Sequence, residues 1–181
     1  MKELVKSIIS GIGDNPLRAG LEETPERVVR SWQYLFSGYS KNVGDVVKVF
    51  PRPNPESPGQ IILLKDIEFY STCEHHMLPF FGKAHVAYIP DTVVIGVSKL
   101  ARIIEIFSRR LQIQERIGEQ VTSSLMLYLK PKAAACVLDA IHLCMAARGV
   151  EKQNSRMITS SLKGTFLEDI RAREELMRLI Q

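Results

Sequence analysis

Apolar residues near the start of the chain recur at helical spacing. Leu4, Val5, Ile8, Ile9 and Ile12 fall at i, i+4 and i+8, and Gly13-Asp14-Asn15-Pro16 supplies a stop. A second helix is predicted from Thr24-Pro25-Glu26. Thr24 is its N-cap, Pro25 occupies the first turn, and Glu26 lies where the helix dipole favours an acid. Its stripe is Val28, Trp32, Leu35 and Phe36, and Gly38 ends it. Residues 1–45 therefore read as an N-terminal helical segment.

The texture then changes. Val46–Phe50 reads as a strand. Pro51–Gln60 holds four of the nine prolines and reads as a loop, because proline lacks the N–H that a sheet interior needs. Further strands are predicted at Ile61–Ile67, Gly82–Ile89 and Thr92–Val97, with Pro90-Asp91 as a turn between the last two. Ser98 is placed as the cap of a third helix with Leu100, Ile103, Ile104 and Phe107 on one face. A fourth runs from about Glu115 to Leu129, with Ile117, Val121, Leu125 and Tyr128 on one side. Ala133–Ala147 reads as one long strand, Met157–Leu162 as another, and Glu168–Ile180 as a terminal helix. Strands cluster and do not alternate with helices, so the expected class is α+β with an antiparallel sheet, residues 46–181 forming the main unit.

Composition narrows the setting. The chain has 181 residues, 45% hydrophobic and 24% charged, which suits one globular domain. No apolar run approaches the ~20 residues of a membrane span, and Met1-Lys2-Glu3-Leu4-Val5 does not resemble a signal peptide. Three cysteines are too few and odd for a disulfide framework, so a reducing cytoplasm is expected. A net charge of +4 favours an anionic ligand without calling for nucleic acid.

Reactive side chains concentrate in Cys73-Glu74-His75-His76 and His142-Leu143-Cys144. Cys73 and His76, three apart in a turn, can face one ion. His142 and Cys144, two apart on the predicted strand, would share a face about 7 Å apart. Thiolate with imidazole selects zinc over magnesium or calcium. These five donors exceed what a structural or a catalytic site needs, and spacing leaves open which of His75 and His76 binds metal. Cys136 lies roughly 26 Å along a regular strand from Cys144 and reads as a core thiol. Ser98-Lys99-Leu100-Ala101-Arg102 at a helix start, Arg148, and Arg27 could cradle an anion, although each alone reads equally as a solvated charge. Gln114-Glu115 at a helix start is either an ordinary first-turn pair or a grip on a guanine edge.

Long stretches of the chain resemble GTP cyclohydrolase I. They are Phe69-Tyr70-Ser71-Thr72-Cys73-Glu74-His75-His76-Met77-Leu78-Pro79-Phe80, Val97-Ser98-Lys99-Leu100-Ala101-Arg102, Leu111-Gln112-Ile113-Gln114-Glu115-Arg116 and His142-Leu143-Cys144-Met145-Ala146-Ala147-Arg148-Gly149-Val150. The likeness runs from Gly20-Leu21-Glu22-Glu23-Thr24-Pro25-Glu26-Arg27-Val28 to Arg171-Ala172-Arg173-Glu174-Glu175, and Pro51–Gly59 departs from it as a longer, proline-laden loop. The resemblance implies zinc on Cys73, His76 and Cys144, with the fourth position left for water. It also implies His75 and His142 as acid–base groups and Ser98 assisting the sugar rearrangement. Gln114 and Glu115 would hold guanine, and Lys99, Arg102, Arg148 and Arg27 the triphosphate. The fold implied is the tunnelling type, an antiparallel sheet with two helices on one face. Subunits would assemble as a homodecamer of two stacked pentamers with interfacial sites. The activity implied is opening of the GTP imidazole ring at C8, release of formate and formation of 7,8-dihydroneopterin triphosphate, the first step of folate and pterin biosynthesis. Two alternatives are a tunnelling-fold enzyme acting on another pterin or a deazaguanine, and a zinc-stabilised module without turnover.

Overall fold

A computed structural model describes residues 1–181. In chain order the helices are α1 (Lys2–Gly11), α2 (Thr24–Leu35), α3 (Val43–Val46), α4 (Val97–Ser108), α5 (Gln114–Leu129), α6 (Leu143–Ala146), α7 (Thr165–Glu168) and α8 (Ile170–Ile180). The strands are β1 (Val49–Pro51), β2 (Ile62–Cys73), β3 (Pro79–Ile89), β4 (Val93–Ile95), β5 (Leu111–Gln112), β6 (Ala133–His142) and β7 (Met157–Gly164). The main sheet has the order β5-β2-β3-β6-β7, antiparallel except for the short parallel β2–β5 pair. Helices α4 and α5 pack on one face, against β2 and against β6 and β7 respectively. This is the α+β arrangement expected of the tunnelling fold.

Alternation along β3 explains the core. Phe80, Ala84, Val86 and Tyr88 face the helices and meet Leu100, Ile103 and Ile104 of α4 and Ile117, Val121 and Leu125 of α5. Each fully buried Phe, Val, Leu or Ile among these contributes roughly 1.5–3 kcal/mol by leaving water. On the other face, α7 and α8 press Phe166 and Leu176 onto Ala87, Ala133 and Ala135. The alanine run of β6 is small because that strand is covered on both sides. A Cβ on Gly82 would lie 2.0 Å from the Asp139 carbonyl oxygen, so only glycine lets β3 and β6 close together there.

Near the N-terminus α1 packs on α2. This segment is pinned to α4 by the Gly38 N–H, which donates to the Arg109 carbonyl at 3.0 Å, and by the Arg109 guanidinium 4.6 Å from the Tyr34 ring centre.

Several predicted boundaries move. Glu23, not Thr24, occupies the N-cap of α2, and Thr24 is its first residue. Helix α2 ends at Leu35, and Gly38 lies beyond it in a 3-10 turn, Ser37–Ser40, where a Cβ would meet the Ile106 carbonyl at 2.2 Å. The strand expected at Val46–Phe50 begins only at Val49, because Asn42 caps the short α3 by accepting the Gly44 N–H at 3.0 Å. The strand expected at Thr92–Val97 shrinks to β4 and pairs with β1 outside the main sheet. Ser98 is not a cap: Gly96 holds that position and Ser98 sits in the first turn of α4. The Ile61–Ile67 strand continues to Cys73 past a bulge at Asp66, whose φ is 60°.

The long strand predicted at Ala133–Ala147 stops at His142. Phe80↔His142 is the last rung between β3 and β6. Beyond it the backbone satisfies itself locally, the Ala147 N–H donating to the Leu143 carbonyl at 2.9 Å, and the chain turns into α6.

Candidate metal centre

Cys73 is the last residue of β2 and is buried. The chain reverses immediately after it. The Cys73 N–H donates to the Leu78 carbonyl and the Met77 N–H to the Cys73 carbonyl, both at 2.8 Å, and Met77 adopts a left-handed φ of 54°. This turn brings the His76 ring back over the strand end, with Nδ1 3.7 Å from Cys73 Sγ. Helix α6 delivers Cys144 to the same point, and the ligand atoms of Cys73, His76 and Cys144 all lie within 4.8 Å of one another. A tetrahedral zinc with bonds of about 2.3 Å to sulfur and about 2.1 Å to nitrogen separates neighbouring donors by about 3.6 Å. The Cys73–His76 distance fits that edge, and two thiols with one imidazole fit the ion's chemistry.

The geometry separates donors that spacing left together. His75 is exposed, its ring edge-on to His76 with centres 6.2 Å apart, and it is outside the group of three. His142 is outside it too. Cys144 is on α6, not on a strand with His142, so the shared-face argument at 7 Å does not hold: the turn sends the two side chains to different partners. Burial pushes the Cys144 thiol up, the adjacent Cys73 adds to this, and the Arg148 charge pulls it back. A dication between the two sulfurs would reverse that balance. Cys136 belongs to the core, where burial pushes its thiol up to about 12.

His142 lies flat on Phe80, ring centres 4.5 Å apart, and its Nε2 is 2.8 Å from Gln114 Oε1. Burial lowers its pKa, and the Glu115 carboxylate partly offsets this. Gln114, first residue of α5, is 1% exposed. Its Nε2 donates to the Leu138 carbonyl at 3.1 Å, the Met157 carbonyl at 2.9 Å and Thr159 Oγ1 at 3.0 Å. A cavity of about 180 Å³ joins these parts, and Cys73, His75, His76, Glu115, His142 and Cys144 all line it.

A pair unpredicted from sequence braces the turn. Arg116 of α5 donates to both carboxylate oxygens of Glu74, and this guanidinium holds the Glu74 carboxyl below the usual range. The Glu74 N–H donates to the Gln112 carbonyl at 3.0 Å, tying the turn to β5. Both residues sit inside recognised motifs, but nothing in their spacing marks them as partners. Phe80 likewise carries no sequence sign beyond being apolar.

None of Lys99, Arg102, Arg148 and Arg27, the residues of the predicted anion cradle, lines this cavity. Ser98, Lys99 and Arg102 lie at the start of α4 and line no wall of this cavity. Arg27 is exposed, paired with Glu23 beside a separate cleft. Arg148 follows α6 on the surface, near enough for its charge to reach Cys144.

Three comparisons place this arrangement among known proteins. A family model described as GTP cyclohydrolase I matches residues 1–181. GTP cyclohydrolase 1 of Wolinella succinogenes is 51% identical over 178 residues, covering 98% of this chain and 94% of that protein. GTP cyclohydrolase 1 of Deinococcus radiodurans is 48% identical over 183 residues, covering 100% of this chain and 83% of that protein. The solved structure of an archaeosine synthase QueF-Like in the apo form overlaps 60% of this chain and 96% of its own, with TM-score 0.47 and 14% identity.

Proposed function

This chain belongs to the GTP cyclohydrolase I family, and we propose that it is a zinc-dependent hydrolase. It would open the guanine imidazole ring of GTP at C8, release that carbon as formate and form 7,8-dihydroneopterin triphosphate, opening a route to folate or other pterins. The observation that carries this reading is the convergence of Cys73, His76 and Cys144 beside His75, Glu115 and His142 on one cavity.

Cys73, His76 and Cys144 are the residues that would hold zinc. Zinc there supplies a Lewis acid, which lowers the pKa of bound water from 15.7 towards ~7. C8 of guanine is a poor electrophile until N7 is protonated. His75, exposed at the cavity edge, gives that proton. Glu115 accepts the two N–H donors of the guanine edge, and Gln114 lines the same cavity with its amide already engaged by protein. His142 moves protons during ring opening and the second hydrolysis, and Ser98 assists the ketose rearrangement of the exposed sugar.

Lys99, Arg102, Arg148 and Arg27 hold the triphosphate, guanidinium matching phosphate oxygens bidentately. Their absence from the lining of the cavity that holds the metal donors supports a site completed between subunits of a homodecamer. So does the outer edge of β7, which ends the sheet and carries the exposed Ile158. Residues 46–181 are then the catalytic unit, and residues 1–45 an arm that presents Arg27 to a neighbour. The setting proposed is cytoplasmic, and no helix is long and apolar enough to cross a membrane.

Incubation with GTP tests this, reading formate and a new pteridine absorbance together, before chelation, after it, and after zinc is restored. Both signals should vanish on chelation and return with zinc. Bound zinc with neither signal would instead indicate a non-catalytic module, and turnover indifferent to chelation would remove the metal.

A further inference from the structure

We propose that Gln114 is a positioning residue that fixes the tautomer of His142, so that any proton His142 exchanges with substrate passes through Nδ1. The catalytic half of this rests on the acid–base reading of His142 above; the structural half does not.

A carboxamide has one end that only accepts and one that only donates. The donor end of Gln114 is identified by its surroundings. Nε2 faces two backbone carbonyls, Leu138 and Met157, and the Thr159 hydroxyl, all at 2.9–3.1 Å. With the amide reversed, its oxygen would confront two carbonyl oxygens, neither of which can donate. Gln114 is 1% exposed, so solvent offers no compensation. The oxygen end must therefore face His142, and its 2.8 Å contact with Nε2 requires the imidazole to donate. A neutral imidazole carries one N–H, so Nδ1 keeps its lone pair, and no protein group bonds to it.

The ring cannot easily escape this state. Turning it over would put a carbon against Gln114 Oε1 and forfeit the bond. The face of the ring is fixed by Phe80, stacked 6° from parallel. The amide is itself anchored to both β6 and β7, so the lock moves only if the sheet moves. Exchange with substrate is thus confined to Nδ1, while the Nε2 hydrogen stays on Nε2, donated to Gln114 Oε1.

The zinc-loaded enzyme labelled with ¹⁵N-histidine tests this by magic-angle-spinning NMR, with His142→Asn identifying the His142 signals. The wild type should show Nε2 protonated and slow to exchange with solvent, and Nδ1 unprotonated. A proton on Nδ1 overturns the inference without any variant being needed. In Gln114→Met the Nε2 proton should exchange faster, and kcat should fall at least about tenfold, as misplaced acid–base groups do. KM for GTP should stay within about twofold and zinc per chain should be unchanged. A raised KM with kcat intact would make Gln114 a guanine ligand and overturn the positioning role. An active wild type with Nδ1 protonated removes this inference alone. An inactive one with Nε2 protonated removes the proposed function and supports the tautomer assignment.

Discussion

Phe80 and His142 face one another on the last rung between β3 and β6, ring centres 4.5 Å apart and planes 6° from parallel. Phe80 is fully buried, so it serves both as core and as the shelf that desolvates the imidazole. Replacing it with leucine keeps most of the apolar volume and removes the flat face. An aromatic stack contributes about 0.5–1.5 kcal/mol beyond burial, so Phe80→Leu should slow turnover by up to about tenfold. The melting temperature should drop only slightly. Unchanged kcat in a folded variant would show that the stack does not orient His142.

The division between the two adjacent histidines is open to a direct comparison. His76→Ala and Cys144→Ser each remove one of three converging donors, and both should lose zinc on dialysis together with formate release. His75→Ala should retain zinc and lose ring opening, because His75 stands outside that group. Metal analysis and formate assay on the same samples decide it. A His75→Ala protein that arrives without zinc would reverse the assignment.

Arg116→Met removes the guanidinium that grips both oxygens of Glu74 while keeping an apolar stem of similar length. The pair is partly solvated, so thermal stability should change little. The effect should fall on the Cys73–Leu78 turn: zinc retained, turnover lower by several-fold. Wild-type turnover would show that the turn holds its shape through the Cys73–Leu78 and Glu74–Gln112 backbone bonds alone.

His85, the histidine outside the candidate site, is buried and accepts the Asp66 N–H on Nδ1 at 3.2 Å, within the β2 bulge. Burial lowers its pKa below 6.5. The Asp66 and Asp139 carboxylates oppose this, and Lys65 and Lys83 reinforce it. Between the lowered value and 6.5 the unfolded chain binds more protons, so stability rises with pH through that window and is complete above it. Wild-type melting temperature should therefore fall on acidification from about pH 7 to about pH 5. His85→Gln, which keeps an acceptor for Asp66, should show a flatter profile. Parallel profiles would mean that other groups carry the acid sensitivity.

Much of this molecule was legible before any coordinates. The i, i+3, i+4 stripes of α1, α4 and α5 locate those helices to within a residue or two, and clustered strands name the α+β class. Cys73, His75, His76, His142 and Cys144 stand out by residue type as candidate donors, and the resemblance narrows them to Cys73, His76 and Cys144. Periodicity works because it records which face of an element is buried, and burial is repeated locally along the chain.

The remainder depended on register between distant segments. The end of β6 is set by where β3 begins, so nothing near Leu143 in sequence could show that Cys144 leaves the strand for α6. The turn from Cys73 to Leu78 brings His76, not His75, to the sulfurs. Residue type could say that Gln114 bears an amide. Only the stacking of α5 over β6 and β7 determined that three acceptors surround its nitrogen and leave its oxygen to His142, because a buried polar group's partners come from whichever backbone the packing brings within 3 Å.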